Sequence, residues 1–311
     1  MSLPASLQHL RLPVICAPMF IVSNPKLVVE QCKAGVVGSF PALNARGEGA
    51  LNEWLTGIKA ELVADEAAGG HPAPFAVNQI VHPSNNRLAE DIQVCLSHQV
   101  PVFITSLQAP PKELVDGAHA YGGIVLHDVI NVRHAKKALE AGVDGLILVA
   151  AGAGGHAGML SPFALVGEIR KFYDGLIVLS GSIATGDAIL GAQAMGADLA
   201  YMGTRFICTT EANADAAYKQ GIIDAAANDV IYTNLFTGVH GNYLRQSIVT
   251  AGLDPDNLPV ADKTKMNFGS GGNSAAKAWK DIWGVGQGVG LIDDAPSTAE
   301  LVDHLEMEYK A

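Results

Sequence analysis

The stretch Val143-Asp144-Gly145-Leu146-Ile147-Leu148-Val149-Ala150, followed after Ala151 by Gly152-Ala153-Gly154-Gly155-His156-Ala157-Gly158, decides how this chain folds. Its first half is apolar almost without interruption, as in a parallel strand buried on both faces. The glycines and His156 then fall at the strand's C-terminal end, where an α/β barrel carries its catalytic loops. Glycine permits sharp turns and the close approach of a flat ligand. Histidine can exchange a proton near neutral pH. A plain Gly-rich turn with an incidental His fits the same letters, so the rest of the chain has to separate the two readings.

Working outward, short apolar runs occupy 14–19, 36–40, 75–81, 102–107, 123–129, 145–150, 176–182 and 199–206. Helical segments separate them. Asn24 precedes Pro25 as a helix cap, with proline at the favoured first position. A second helix starts at Pro110-Pro111. The segments 133–141 and 187–195 stop at Gly142 and Gly196, the usual C-terminal glycines. Eight strand–helix alternations predict an α/β fold of the (β/α)8 TIM-barrel type, with a doubly wound sheet as the alternative. After Phe206 the pattern changes. Residues 211–226 read as helix, and the Gly- and Asn-rich run 237–242 follows. The expected organisation is a barrel of residues 1–208 and 273–311, closed by a helix near 275–283 and ending in a helix over 297–309. Residues 209–272 then form an inserted substrate or lid region over the mouth.

Of the 311 residues, 49% are hydrophobic and only 16% charged, enough for a large core. A formal net charge of −11 argues against nucleic acid or an anionic membrane as partner, though backbone N–H groups can still bind a phosphate. Cys16, Cys32, Cys95 and Cys208 form no CxxC pair, which disfavours zinc and disulfides and makes a reducing cytoplasm the default expectation. No signal peptide or run of transmembrane length is legible.

Two further turns suit a phosphate. They are Leu179-Ser180-Gly181-Ser182-Ile183-Ala184-Thr185-Gly186 after the seventh strand and Tyr201-Met202-Gly203-Thr204-Arg205-Phe206 after the eighth. Barrels often hold phosphate on backbone N–H groups of these two loops and a following helix N-terminus. Neither GxGxxG after the first strand nor GxxxxGK[ST] is present. Ala17 and Met19 flank Pro18 at the end of strand one and can face a flat ring, although Met19 fits plain core nearly as well. Asn78 offers an amide to a heterocycle's edge, or simply forms a turn. His127 and Asp128 end strand five, facing a ligand or pairing with each other. Gln287 reaches a ring or stays exposed.

Taken in order along nearly the whole chain, Ala17-Pro18-Met19, Pro74-Phe75-Ala76-Val77-Asn78, Gly154-Gly155-His156-Ala157-Gly158, Ser180–Ala184, Met202–Phe206 and Gly286-Gln287-Gly288 resemble the nitronate monooxygenase (2-nitropropane dioxygenase) family of FMN-dependent barrel flavoenzymes. The resemblance implies that His156 is the active-site histidine, as base or hydrogen-bond donor. It implies that Gly181, Ser182, Gly203 and Thr204 hold the FMN phosphate. Ala17, Met19, Asn78, Gly155 and Gln287 would frame the flavin. The implied reaction is oxidation of alkyl nitronates by O2 to carbonyl compounds and nitrite, with neutral nitroalkanes left open as substrates. The family also holds reductases that use NAD(P)H on quinones or enoyl thioesters, the alternative activity. Three positions depart from its better-known members: Cys16 replaces a Gln, Ala157 an Arg, and Asp128 the Lys of the quinone reductases. These departures bear on substrate more than on flavin.

Overall fold

The structure, a computed structural model, describes residues 3–261 and 281–311. Eight of its strands run parallel: β1 (Val14–Cys16), β2 (Gly38–Pro41), β3 (Phe75–Val81), β4 (Val102–Leu107), β5 (Ile124–Val129), β6 (Gly145–Val149), β8 (Leu176–Ser180) and β9 (Leu199–Met202). Their order is β1-β9-β8-β6-β5-β4-β3-β2. The bridge Ile15↔Val37 joins the two ends, with Cys16 N–H donating to Val37 O at 2.8 Å. The ring therefore closes as a (β/α)8 barrel, and the doubly wound alternative is set aside.

Helices cover the outside as the cap residues require. Asn24 accepts from Leu27 N–H ahead of helix Pro25–Lys33, and Asn131 accepts from His134 N–H ahead of Val132–Glu140. Gly142 and Gly196 take φ of +86° and +107°, the left-handed C-terminal geometry expected of them. Ser297 and Glu300 form a capping box on the last helix, Thr298–Lys310.

Side chains alternate between the two sides of each strand. Ile15, Val37, Ala76, Ile104, Leu126, Ile147, Val178 and Leu199 fill the barrel interior. Val77, Phe103, Val125, Leu148 and Ile177 face the helices. Continuing the inward parity towards the C-terminal mouth gives Ser39, Asn78, Ser106, Asp128, Ser180 and Tyr201. The apolar layers thus end in a polar one.

Some boundaries differ from the sequence reading. The first strand ends at Cys16 because Pro18 has no N–H to continue a ladder. The eighth ends at Met202, where the chain turns into the short helix Thr204–Ile207. The helix read over 211–226 is confined to Ala216–Ile223. Glu211 is drawn away because its Oε2 accepts from Thr298 N–H and Oγ1 at 3.0 and 2.8 Å. Beyond it, β10 (Val230–Thr233) pairs antiparallel with β11 (Gly241–Leu244). β11 in turn pairs with the two-residue strand β7 (Gly155–His156). Of the closing helix read near 275–283, positions 275–280 lie outside the described residues, as do 262–272 of the insertion. No described helix is long and apolar enough to cross a membrane.

Candidate active site

At the C-terminal mouth lies a cavity of about 600 Å³, within the range of ligand sites. Ala17, Met19, Asn78, Gly155, His156, Gly181, Ser182, Gly203 and Thr204 all line it. Gln287 does not: its side chain is exposed, while its N–H donates to Gly152 O at 2.9 Å and its neighbours Gly286 and Gly288 form the wall. A second described cavity, beside Pro74 and Leu10, lies at the opposite end of the barrel.

The loop after β6 is not free to wander. Register pairs Gly241 with His156 and Asn242 with Gly155. Asn242 Nδ2 donates to Ala153 O at 2.7 Å. His156 Nε2 lies 2.9 Å from Thr237 Oγ1. Burial pushes the imidazole down to about 4, so the ring is neutral at ordinary pH. Thr237 is 81 residues away in the chain, and no local motif marks it.

Glycines bring three loops to within contact. A Cβ on Gly154 would sit 2.9 Å from Gly286 N, and one on Gly181, at φ +135°, 2.7 Å from Ala151 O. Thr204 Oγ1 accepts from Gly286 N–H at 2.9 Å, which leaves its own proton for a ligand. Gly203 differs: a Cβ there would meet only Ala17 Cβ at 3.5 Å and Met19 Sδ at 3.9 Å. The space beside Ala17 and Met19 is therefore open, a cradle that a side chain would fill. The longer helix after β8, Gly186–Ala194, turns its N-terminus to the last helix. Its Gly186 N–H already donates to Glu308 Oε2 at 2.6 Å.

His127 and Asp128 do not pair, because adjacent strand residues point to opposite sides. His127 faces the helices, 3% exposed, with Nδ1 2.7 Å from Thr105 Oγ1. Burial lowers it to about 4. Asp128 faces the cavity. Its Oδ2 accepts from Ser106 Oγ at 2.6 Å, and Ser106 accepts from Asn78 Nδ2 at 2.8 Å. Asp128 Oδ1 and the Tyr201 hydroxyl are buried without a hydrogen-bond partner. Desolvation raises the Asp128 carboxyl to about 7 despite the Ser106 bond, and no Lys or Arg is among the described lining residues to oppose it. The described residues hold no His, Cys, Asp and Glu cluster suited to a metal.

A model of the nitronate monooxygenase family matches residues 4–308. Nitronate monooxygenase of Paraburkholderia phytofirmans is 28% identical, over 96% of this chain and 92% of that protein. The Neurospora crassa nitronate monooxygenase is 27% identical, over 96% and 89%. Among solved structures, FabK from Thermotoga maritima superposes with a TM-score of 0.77 at 22% identity, covering 98% of this chain and 94% of that one. Nitroalkane oxidase from Streptomyces ansochromogenes gives a TM-score of 0.77 at 24% identity, covering 98% of both chains. These two likenesses attest the barrel fold. With the family match spanning barrel and mouth alike, this chain is an oxidoreductase that belongs to the nitronate monooxygenase family.

Proposed function

We propose that the protein is an FMN-dependent nitronate monooxygenase, oxidising alkyl nitronates with O2 to carbonyl compounds and nitrite. Its carrying observation is the single cavity wall that unites the two glycine turns, the Ala17–Met19 loop and His156. The residues fit a flavin. The open space beside Gly203, Ala17 and Met19 suits a flat group, and the Thr204 hydroxyl and the backbone of Gly181, Ser182 and Gly203 suit a phosphate without a cation.

Bound FMN would supply the electron acceptor and the route to O2. Asn78 would present its amide to the ring's edge, while Gly155 lets backbone approach it. Ile80, Leu107, Ile130 and Val239 make the wall apolar, excluding water and receiving an alkyl group. His156, neutral and steadied by Thr237, would orient the nitronate by hydrogen bonding without changing charge. The described part of 209–272 would serve as the substrate-side wall, through Asn213, Tyr218 and Val239.

The test begins with an absorbance spectrum of the purified protein and the mass of its released cofactor. Nitrite release and O2 uptake are then followed with a primary alkyl nitronate. The expected result is a yellow protein carrying FMN that releases nitrite. A colourless protein that takes up no added FMN would overturn the proposal. Rapid anaerobic bleaching by NADH without nitronate turnover would mark a reductase instead.

A further inference from the structure

We infer that Ser106, tethered to Asp128, is a positioning residue: it locks the Asn78 amide in one sense, so that the Asn78 oxygen alone meets a bound flavin and accepts its ring N–H. This rests on the proposed flavin site and deepens it by fixing which edge of the ring that site admits. An oxidised isoalloxazine carries a single ring N–H, on its pyrimidine edge, flanked by two carbonyl oxygens. Its opposite edge carries two methyl groups. A fixed acceptor facing the cavity selects the N–H of the pyrimidine edge. An amide free to turn over would meet the neighbouring carbonyls as readily.

The lock follows from counting protons along a chain that crosses three strands. Asn78 on β3, Ser106 on β4 and Asp128 on β5 belong to the inward polar layer, and all three line the cavity. Ser106 Oγ has one proton, and it goes to Asp128 Oδ2 at 2.6 Å. Towards Asn78, Ser106 can then offer only a lone pair. The Ile104 carbonyl oxygen offers only lone pairs as well. Both meet the same atom of Asn78: Nδ2 donates to Ser106 Oγ at 2.8 Å and to Ile104 O at 3.2 Å. The amide has two N–H protons, and these two bonds take both. Turning it over would set its oxygen against two acceptors. Asn78 Oδ1 has no hydrogen-bond partner among the described residues, yet it is not sealed in as Asp128 Oδ1 and the Tyr201 hydroxyl are. Asn78 is 4% exposed and lines the cavity, so this oxygen is the side-chain atom it opens to a ligand. Of the two tethers, the Ser106 bond is the shorter and the one a side chain controls. β8, whose turn is assigned to the phosphate, stands directly across the closed ring from β3. A flavin anchored there would cross the mouth and bring one end of its ring to Asn78.

The test titrates deflavinated apoprotein with FMN and with N3-methyl-FMN, in which a methyl group replaces the ring proton. Quenching of flavin fluorescence gives both dissociation constants, and thermal unfolding of each apoprotein controls for folding. Wild type is expected to bind FMN at least about 10²-fold more tightly than the methylated flavin, because a fixed acceptor then loses its donor. Ser106→Ala leaves the amide tethered to Ile104 O alone. It should weaken FMN binding about tenfold and leave binding of the methylated flavin unchanged, so that the ratio falls by the same factor. Ser106→Thr, which keeps the hydroxyl, should hold the wild-type ratio. A packing role for Ser106 would weaken both flavins equally in Ser106→Ala and leave the ratio as it was, and that result would overturn the inference. Equal binding of the two flavins by wild type would also overturn it and leave the flavin proposal standing. Wild-type apoprotein that binds neither flavin would refute both.

Discussion

Gly203→Asp separates flavin binding from folding more cleanly than any other substitution at the mouth. Gly203 has φ −108°, open to any residue, and its Cβ would rest in ordinary contact with Ala17 Cβ at 3.5 Å and Met19 Sδ at 3.9 Å. The position also precedes the turn Thr204–Ile207, where Asp is a good cap. The apoprotein should therefore keep its stability within about 1 kcal/mol. The carboxylate, however, would enter the open space assigned to the flat ring, next to the Gly203 backbone and Thr204 hydroxyl assigned to the phosphate. Two unit charges about 4 Å apart repel by roughly 4 kcal/mol at an effective dielectric of 20. Allowing the side chain to swing away and water to screen it leaves about 3 kcal/mol, or roughly a 10²-fold loss of affinity. Flavin fluorescence quenching against apoprotein gives the dissociation constant, and urea unfolding of the same apoprotein gives stability. Gly203→Ala, which adds bulk without charge, should lose affinity by no more than about tenfold. FMN binding by the Asp variant within about threefold of wild type would show that the phosphate lies elsewhere. A collapse of apoprotein stability in both variants would show that the space is not open.

Gly181→Ala should behave differently: its left-handed φ of +135° and the Ala151 carbonyl 2.7 Å from the new Cβ predict a loss of about 1–3 kcal/mol even without flavin, measured by urea unfolding. Asn44→Ala should cost a similar amount, because Asn44 accepts from Ile21 N–H and donates to Met19 O and Ser23 O. Loss of flavin affinity should accompany it, and an unchanged affinity would disconnect this loop from the site. For pH, His127 and Asp128 act in opposite directions. The folded state resists protonating His127 until about 4 whereas the unfolded chain accepts a proton near 6.5, so that contribution is full above 6.5 and is lost as pH falls. Asp128 keeps its proton to about 7 when folded and only to 3.8 when unfolded, so its contribution is full below 3.8 and is lost as pH rises. Asp128→Asn should therefore stabilise the protein more at pH 8 than at pH 4, by on the order of 1–4 kcal/mol. Equal effects at the two pH values in urea titrations would contradict the buried carboxyl.

The barrel was legible because its strands are short apolar runs closed by glycines in fixed places, and such runs are hard to place elsewhere than in a buried parallel sheet. What the runs could not show is which side each residue faces. In a strand buried on both faces the neighbours of His127 and Asp128 are apolar on either side, Leu126 and Val129, so no alternation betrays the parity. Only the closed ring puts Asp128 with Asn78 and Ser106 and sends His127 to Thr105. Ser106 and Tyr201 carry no signal in the sequence, because a lone Ser or Tyr near a strand end has no motif around it. Thr237 depends on a hairpin that reaches back to β7, a pairing of distant segments that periodicity does not encode. The overlong helix at 211–226 has the same origin: a contact from Thr298 decides the fate of Glu211.

Backbone strain tells the same story from another direction. Among the described residues, four non-glycine residues have positive φ: Ile21, Gln99, Leu107 and Ser182. Three of them, Ile21, Leu107 and Ser182, line the one cavity at the mouth. A β-branched residue such as Ile21 takes φ of +68° only where its surroundings over-determine it. Those surroundings can be named. Asn44 accepts its N–H at 2.9 Å, and Asn213 donates to its carbonyl at 3.1 Å. Asn44 itself does not line the cavity. One polar side chain behind the wall, Asn44, and one in it, Asn213, thus hold Ile21 in a conformation it would not choose. Shape at Ile21 is therefore set partly from outside the mouth, by Asn44, which belongs to no motif of the mouth and whose loss should be felt there.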